Sequence, residues 1–149
     1  MRSTFRLAFV ACLLAAATWS FTAIAAAQQP AAQHDAAAHT HPEAAKLKNP
    51  VAANAASLDA GKKLYTANCE SCHGTTGKGD GKMAANMNPK PPDLSDKEWK
   101  HGGSDGEIYT LIHDGSKGTP MRGFASKMTT NEIWSVVNYL RALGSSKTQ

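Results

Sequence analysis

Apolar residues recur at helical spacing between residues 104 and 115. Ile108, Leu111 and Ile112 stand at positions i, i+3 and i+4, so a helix would carry all three on one face. A Ser-Asp-Gly-Glu sequence that starts at Ser104 has the capping-box pattern, and Gly115 follows the last apolar position. The pattern predicts one short helix with a single buried face.

A longer helix is predicted near the C-terminal end of the chain. Thr129 and Glu132 form another capping box, and Met128 and Ile133 occupy the two staple positions that flank it. We expect the helix to bury the apolar residues that follow at helical spacing. They are Ile133, Val136, Val137 and Leu140, with Trp134 and Tyr139 alongside.

Two more helices are indicated earlier in the chain. Ser57 can cap a helix that places Gly61 and Tyr65 on one face, and a capping box at Ser95 opens a short helix that would stop at Gly102. No segment alternates between apolar and polar residues as a strand does. The sequence therefore predicts an all-α fold, with one small domain over residues 57–149.

The N-terminal residues 1–27 read as a secretory signal peptide. Arg2 and Arg6 precede an apolar run from Leu7, and three alanines that end at Ala27 offer a small-residue cleavage site. The alternative is an uncleaved anchor, since Leu7 to Ala27 is just long enough to cross a bilayer. We expect cleavage after Ala27 and a periplasmic protein, with membrane anchoring as the outcome if the signal is retained.

Residues 28–56 are rich in Ala, Gln, Pro, Asn and His, with almost no large apolar side chain. Such a segment buries too little surface to offset the entropy of ordering its backbone, so it is predicted to be a disordered linker. Its histidines, His34, His39 and His41, suggest a metal site as the alternative. We expect them instead to be exposed to solvent.

The sequence Cys69-Glu70-Ser71-Cys72-His73 has the Cys-x-x-Cys-His pattern of covalent haem c attachment. Two thiols three residues apart on one helical turn can each add to a vinyl group of a porphyrin, while the adjacent imidazole ligates the iron. A thioredoxin-type dithiol or half of a zinc site would share the Cys-x-x-Cys spacing, but no second Cys pair, no His-x-x-x-His and no βαβ pattern accompanies it. We predict one haem c, bound through Cys69, Cys72 and His73.

The second axial ligand separates an electron carrier from an enzyme. Met121 stands in an irregular Gly- and Pro-containing loop before the last helix, where a side chain can be directed without helix constraints. Met83 and Met87 follow His73 too closely in sequence to reach the opposite side of the ring, and Met128 already occupies a staple position of the last helix. We therefore predict His73 and Met121 as the iron ligands.

The order of these motifs resembles the class I c-type cytochromes, most closely the monohaem bacterial periplasmic type. The resemblance covers Ser57 to Leu143. It is carried by the following segments: Gly61-Lys62-Lys63-Leu64-Tyr65, Cys69-Glu70-Ser71-Cys72-His73-Gly74, Pro91-Pro92-Asp93-Leu94, Gly118-Thr119-Pro120-Met121, and Glu132 to Leu140. The resemblance implies a small fold of several short helices wrapped around one covalent haem.

The resemblance also implies particular contacts. Gly61 and Tyr65 would let the first helix cross the last helix, and the Pro92 carbonyl would accept the ring N–H of His73. Trp99 would lie near a haem propionate, or serve as an ordinary core or surface aromatic residue. One departure is Arg122, because members often have proline after the methionine.

The expected function is electron transfer by Fe(III)/Fe(II) cycling, without catalysis, because two axial ligands leave the iron no open position. His101 or His113 as a ligand would give a bis-imidazole site, but both are expected at the surface. The alternatives are a haem subunit of a larger oxidase or dehydrogenase complex, or a peroxidase-like or gas-binding protein with an open sixth position.

The charge of the chain constrains its partners only loosely. The formal charge of +4 falls by two, to +2, when Arg2 and Arg6 leave with the signal peptide, and the lysines are interspersed with acidic residues. Nothing in this pattern indicates nucleic acid. We expect redox partner proteins, steered by exposed lysines, and possible association with a membrane complex.

Overall fold

The computed structural model describes residues 41–96, Trp99 and residues 102–145, and every regular element among them is helical. The elements are α1 (Pro42–Ala45), α2 (Ala55–Asn68), α3 (Glu70–His73), a 3₁₀ helix (Ala84–Asn86), α4 (Asp105–Asp114) and α5 (Thr130–Ser145). An isolated antiparallel bridge joins Gly115 to Arg122, and these ranges contain no β-strand. The predicted all-α class is confirmed. None of the described helices is long and apolar enough to span a bilayer.

Helices α2 and α5 form the central contact of the domain. They meet at Gly61, which is buried and lies so close to α5 that a side chain there would run into the Ser135 carbonyl and the Tyr139 Cβ. One turn later the rings of Tyr65 and Tyr139 pack with centroids 5.3 Å apart. The close crossing therefore depends on the missing side chain at position 61.

Replacing Gly61 with alanine should destabilise the protein by about 1–3 kcal/mol, because the added methyl group has to push the two helix backbones apart. Gly144→Ala is the matched control. Gly144 lies in α5, and a Cβ there would make only an ordinary contact with the Ser95 carbonyl at 3.9 Å. The control should be neutral or slightly stabilising. Denaturant unfolding of the haem-loaded protein measures both changes, and equal effects would contradict the crossing argument.

The capping boxes at Ser104 and Thr129 are formed as predicted. The Ser104 hydroxyl accepts from the Glu107 amide while the Glu107 carboxylate accepts from the Ser104 amide. Thr129 and Glu132 exchange the same pair of bonds. The start predicted for the first helix is wrong by three residues, because Asn54 caps α2 and Ser57 supplies the reciprocal bond. An Asn-x-x-Ser box differs from the Glu-containing pattern, so the sequence signal was weaker there.

Several predictions fall outside the described residues. They are the signal peptide, the linker as far as Thr40, and most of the short helix predicted from Ser95. Within that predicted helix, Ser95 is described, and its amide donates to the Asp93 carboxylate at 2.8 Å.

The prediction of a disordered linker is wrong for residues 41–54, which pack on the domain. Ala44 in α1 is buried, and Gly106 approaches its carbonyl so closely that a side chain could not fit between them. Further along, Asn49 donates to the Asn138 side chain at 2.8 Å, and Asn138 donates to the Val51 carbonyl at 3.0 Å. Counting large apolar residues missed this order, because amide hydrogen bonds and close backbone contacts provide it.

Glu107 connects this N-terminal segment to α4. Its carboxylate accepts from the His41 amide at 3.0 Å, the Ser104 amide at 3.0 Å and the Ser104 hydroxyl at 2.7 Å. Burial alone would raise the pKa of Glu107, but these donors together lower it below the ordinary value of 4.5. The folded protein therefore favours the ionised carboxylate.

Glu107→Gln should lower the unfolding free energy by about 1–3 kcal/mol at neutral pH, because a buried charge-assisted network loses its acceptor. A carboxyl group with a depressed folded-state pKa stabilises the protein above its unfolded pKa and loses that contribution as pH falls through the folded value. The difference in unfolding free energy between the wild type and Glu107→Gln should thus be constant near neutral pH and shrink below about pH 4.5. Denaturant unfolding at several pH values checks this. Glu43→Gln, at an exposed position paired with Lys46, is the control and should change little.

The hydrophobic core lies among α2, α4 and α5. Its buried members are Tyr65, Ile108, Ile112, Met128, Ile133, Trp134, Val136, Val137 and Leu140. The apolar positions predicted for α5 are therefore confirmed, and Tyr139 packs against this cluster from its edge. Helix α5 forms one wall of the domain, and the loops that carry the predicted site residues precede it in sequence.

Candidate haem site

Residues 69–73 fold into one helical turn at the end of α2. The amides of Cys72 and His73 donate to the Cys69 carbonyl at 3.1 and 2.9 Å, and the turn ends at Gly74, which has a positive φ of 78°. Cys69 and Cys72 are free, half-buried thiols. The structure therefore brings three of the four predicted site residues together on a single turn.

The thiol chemistry does not match a redox dithiol. Burial, together with the neighbouring Cys72, raises the pKa of Cys69 to about 12. Reactive Cys-x-x-Cys motifs and metal-binding thiolates instead have lowered thiol pKa values. The raised pKa thus disfavours Cys69 as the attacking thiol of a thioredoxin-type dithiol. The described residues also contain no group of three or more His, Cys, Asp or Glu side chains that could hold a metal ion.

His73 is buried, with 9% of its surface exposed. Burial lowers the pKa of His73, whereas the Pro92 backbone carbonyl acts on the ring in the opposite direction. Its Nδ1 atom has no hydrogen bond of normal geometry, so the full bond to Pro92 that the resemblance implies stays a prediction. The shift favours a neutral imidazole, which is the form that binds metals.

The chain after His73 doubles back over the motif. Gly79 donates to the His73 carbonyl at 2.9 Å, Gly81 to the Cys72 carbonyl at 3.2 Å, and Met83 to the Ser71 carbonyl at 2.9 Å. The buried Tyr65 hydroxyl holds the start of this loop by donating to the Gly74 carbonyl at 2.6 Å. These bonds fix the turn and lead the chain to the Pro91-Pro92 segment.

Met121 lies on a different element, the loop between α4 and α5. Its amide donates to the Thr119 hydroxyl at 3.2 Å, and its carbonyl accepts from the Ser116 amide at 3.0 Å. The side chain is half-buried and packs against the core cluster. The backbone is therefore held in place although Arg122, which is exposed, stands where proline is common.

The other methionines and histidines that could ligate the iron lie in different environments. Met128 is buried in the core, and Met83 is exposed over 53% of its surface. His113 is partly exposed, bonds to Asp114 at 2.6 Å and stacks on Tyr109. His101 lies outside the described residues. Of the three linker histidines His34, His39 and His41, which were expected to be exposed, the structure describes His41 alone.

The residues present fit a covalently attached haem. The buried, neutral imidazole of His73 and the adjacent free thiols form the donor set that attachment requires. Trp99, for which either a place near a propionate or an ordinary core or surface position was expected, donates to the Asp96 carbonyl at 3.1 Å and packs against the core cluster. Sequence reasoning did not identify the hydrogen bond from the Tyr65 hydroxyl to the Gly74 carbonyl, because the motif that contains Tyr65 was interpreted only as a helix-crossing contact.

Comparison with known proteins gives one family. The family model described as Cytochrome c matches residues 58–144. Among curated proteins, the chain is 31% identical over 87 residues to the Cbb3-type cytochrome c oxidase subunit FixP of Bradyrhizobium diazoefficiens, covering 58% of this chain and 28% of that protein. It is 33% identical over 98 residues to the subunit CcoP of Rhodobacter capsulatus, covering 62% of this chain and 31% of that protein. The chain therefore spans less than a third of these relatives.

Solved structures agree on the fold. A chain of the reducing HAO-like protein complex of Kuenenia stuttgartiensis is similar with a TM-score of 0.60 and 32% identity, covering 66% of this chain and 48% of that chain. Cytochrome cL of Methylophaga aminisulfidivorans is similar with a TM-score of 0.50 and 22% identity, covering 64% of this chain and 59% of that chain. The second likeness concerns the fold alone.

Proposed function

Because the chain belongs to the cytochrome c family, we propose that it is a periplasmic electron-transfer protein with a single haem c ligated by His73 and Met121. When bound, the haem supplies a one-electron Fe(III)/Fe(II) couple whose potential depends on the axial ligands, nearby hydrogen bonds and burial. The protein supplies attachment, orientation and exclusion of water.

Each proposed site residue has a distinct role. Cys69 and Cys72 would attach the haem through two thioether bonds, because both thiols lie on or beside α3. His73 would ligate the iron through its imidazole, and the loop from Gly74 to Pro92 packs around that residue. Met121 would supply a soft thioether ligand, from a loop that is bonded to the end of α4.

The observation that carries this proposal is the turn at residues 69–73, which presents two free thiols beside a buried imidazole whose pKa is lowered by burial. Filling both axial positions leaves no site for a substrate, so we expect no catalysis. Keeping the same ligands in both oxidation states also limits reorganisation during electron transfer. An enzyme would instead need an open coordination position.

A redox titration of the purified haem-loaded protein tests the proposal. We expect a single reversible one-electron transition, no turnover of hydrogen peroxide, and a low-spin spectrum in both oxidation states. Two separate transitions would contradict a single haem. Peroxide turnover or a high-spin spectrum would instead support the peroxidase-like or gas-binding alternative.

A second candidate is a haem subunit of a larger membrane complex, as the FixP and CcoP relatives are subunits of Cbb3-type oxidases. Purification under mild detergent with a C-terminal tag distinguishes the two. A free carrier should elute alone, whereas a subunit should co-purify in fixed stoichiometry with membrane proteins.

Sequencing the mature N-terminus in the same preparation tests cleavage after Ala27. A start at Gln28 supports the proposed periplasmic carrier, and retention of Met1 supports an anchored form.

A further inference from the structure

Among the described residues, two buried side-chain polar atoms have no hydrogen-bond partner, and they are His73 Nδ1 and Ser116 Oγ. A buried polar atom without a partner costs about 1–3 kcal/mol, so each requires a reason. His73 belongs to the proposed haem site. Ser116, with 7% of its surface exposed, lies on the loop that carries Met121, which is the other side of the same proposed site.

The backbone register places Ser116 directly opposite Met121. Gly115 pairs with Arg122 in an antiparallel bridge, and the Ser116 amide donates to the Met121 carbonyl at 3.0 Å. Residues directly opposite each other in an antiparallel pair carry their side chains on the same face, with Cβ atoms about 4.5–5.5 Å apart. This backbone pairing predicts that the Ser116 and Met121 side chains stand on the same face of the loop.

The neighbouring hydroxyl on the loop is already engaged. Thr119 Oγ1 donates to the Ser116 carbonyl at 2.7 Å and accepts from the Met121 amide at 3.2 Å. Thr119 thus fixes the backbone, while the Ser116 hydroxyl keeps its donor hydrogen. A thioether sulfur is a weak hydrogen-bond acceptor of the kind that such a hydroxyl can reach across the pair.

We propose that Ser116 is a positioning residue for Met121, and that its hydroxyl donates a hydrogen bond to the thioether sulfur when that sulfur ligates the iron. This inference rests on the proposed function. A hydrogen bond to the sulfur draws electron density away from the iron, so it favours Fe(II) and raises the potential. It also restricts the rotamers of a flexible methionine side chain.

Ser116→Ala in the haem-loaded protein tests the inference through three readouts, namely the reduction potential, the far-red sulfur-to-iron absorption of the oxidised form, and the unfolding free energy. We expect a lower reduction potential, equivalent to a roughly fivefold decrease in the Fe(II)/Fe(III) ratio at a fixed solution potential. The sulfur-to-iron band should shift and the protein should lose stability. Ser116→Thr keeps the hydroxyl and should restore the potential and the band.

Ser135→Ala is the matched control. Ser135 is buried to a similar extent, and its hydroxyl donates to the Asn131 carbonyl at 2.9 Å within α5. This variant should lose some stability but keep the potential and the band. It therefore separates a general packing effect from an effect on the sulfur.

The remaining outcomes each overturn a defined statement. If the wild type shows the band and Ser116→Ala changes neither the band nor the potential, this inference alone is wrong. If Ser116→Ala shifts the potential by an amount that varies with pH while the band stays constant, the hydroxyl interacts with a haem carboxylate instead of the sulfur. That result also overturns the inference. A wild type without the band removes Met121 as a ligand, and the proposed function fails together with the inference.

Discussion

Replacing Met121 with alanine should open the iron to external ligands and lower the reduction potential. The thioether is a soft ligand that stabilises Fe(II), so its loss favours Fe(III). The variant should also lose the sulfur-to-iron absorption band and bind carbon monoxide readily when reduced. Absorption spectra of the oxidised protein and of the reduced protein under carbon monoxide measure these changes.

Two other methionines provide controls for this variant. Met83→Ala alters an exposed residue and should leave the band, the potential and the stability unchanged. Met128→Ala removes a buried core residue, so it should cost about 2 kcal/mol or more while the band persists. If Met121→Ala kept the band, or if Met83→Ala or Met128→Ala lost it, the assignment of the ligand would be wrong.

Replacing both Cys69 and Cys72 with alanine should abolish retention of haem after denaturation. Two thioether bonds hold the group covalently in the wild type, so acid-organic extraction should leave it on the polypeptide. With both thiols removed, only ligation and packing remain, and these are lost when the chain unfolds. Extraction followed by mass spectrometry of the intact chain measures the result.

Ser71→Ala is the control for the cysteine variants, because Ser71 lies between the two cysteines and is exposed. This variant should retain haem fully. Each single cysteine variant should still carry the group through one thioether bond. Free extraction from the wild type would show that attachment is not covalent, whatever the family.

The parts of the fold that sequence predicted well are those specified by neighbouring residues. The capping boxes at Ser104 and Thr129 join groups three residues apart, so the determinants and the structure lie in the same short segment. The same holds for the turn at residues 69–73, where spacing alone places both thiols and the imidazole. The apolar period of α5 likewise identified its buried face.

The order of residues 41–54 could not be predicted in the same way. Asn49 and Asn138 are 89 positions apart, and neither residue type signals its partner. The contact of Ala44 with Gly106 is a close backbone approach, which apolar counts do not register. Tertiary contacts thus order a segment whose composition indicates disorder.

In the candidate site, too, local sequence features could be recognised while tertiary contacts could not. Met121 could be selected from sequence because the alternatives were committed elsewhere or too close to His73. The role proposed for Ser116 depends on a cross-loop register and on burial, and both emerge only when the chain is folded. Local motifs therefore suggest candidate ligands, whereas a candidate positioning residue such as Ser116 is recognised only in the folded chain.

Carbon monoxide binding to the native, reduced wild-type protein tests the central claim most directly. If His73 and Met121 both ligate the iron, the absorption spectrum should stay unchanged under carbon monoxide until the protein is unfolded. Rapid formation of the carbon monoxide complex by the native protein would show an open sixth position. That result would contradict the electron-carrier assignment and favour an enzyme or a gas-binding protein.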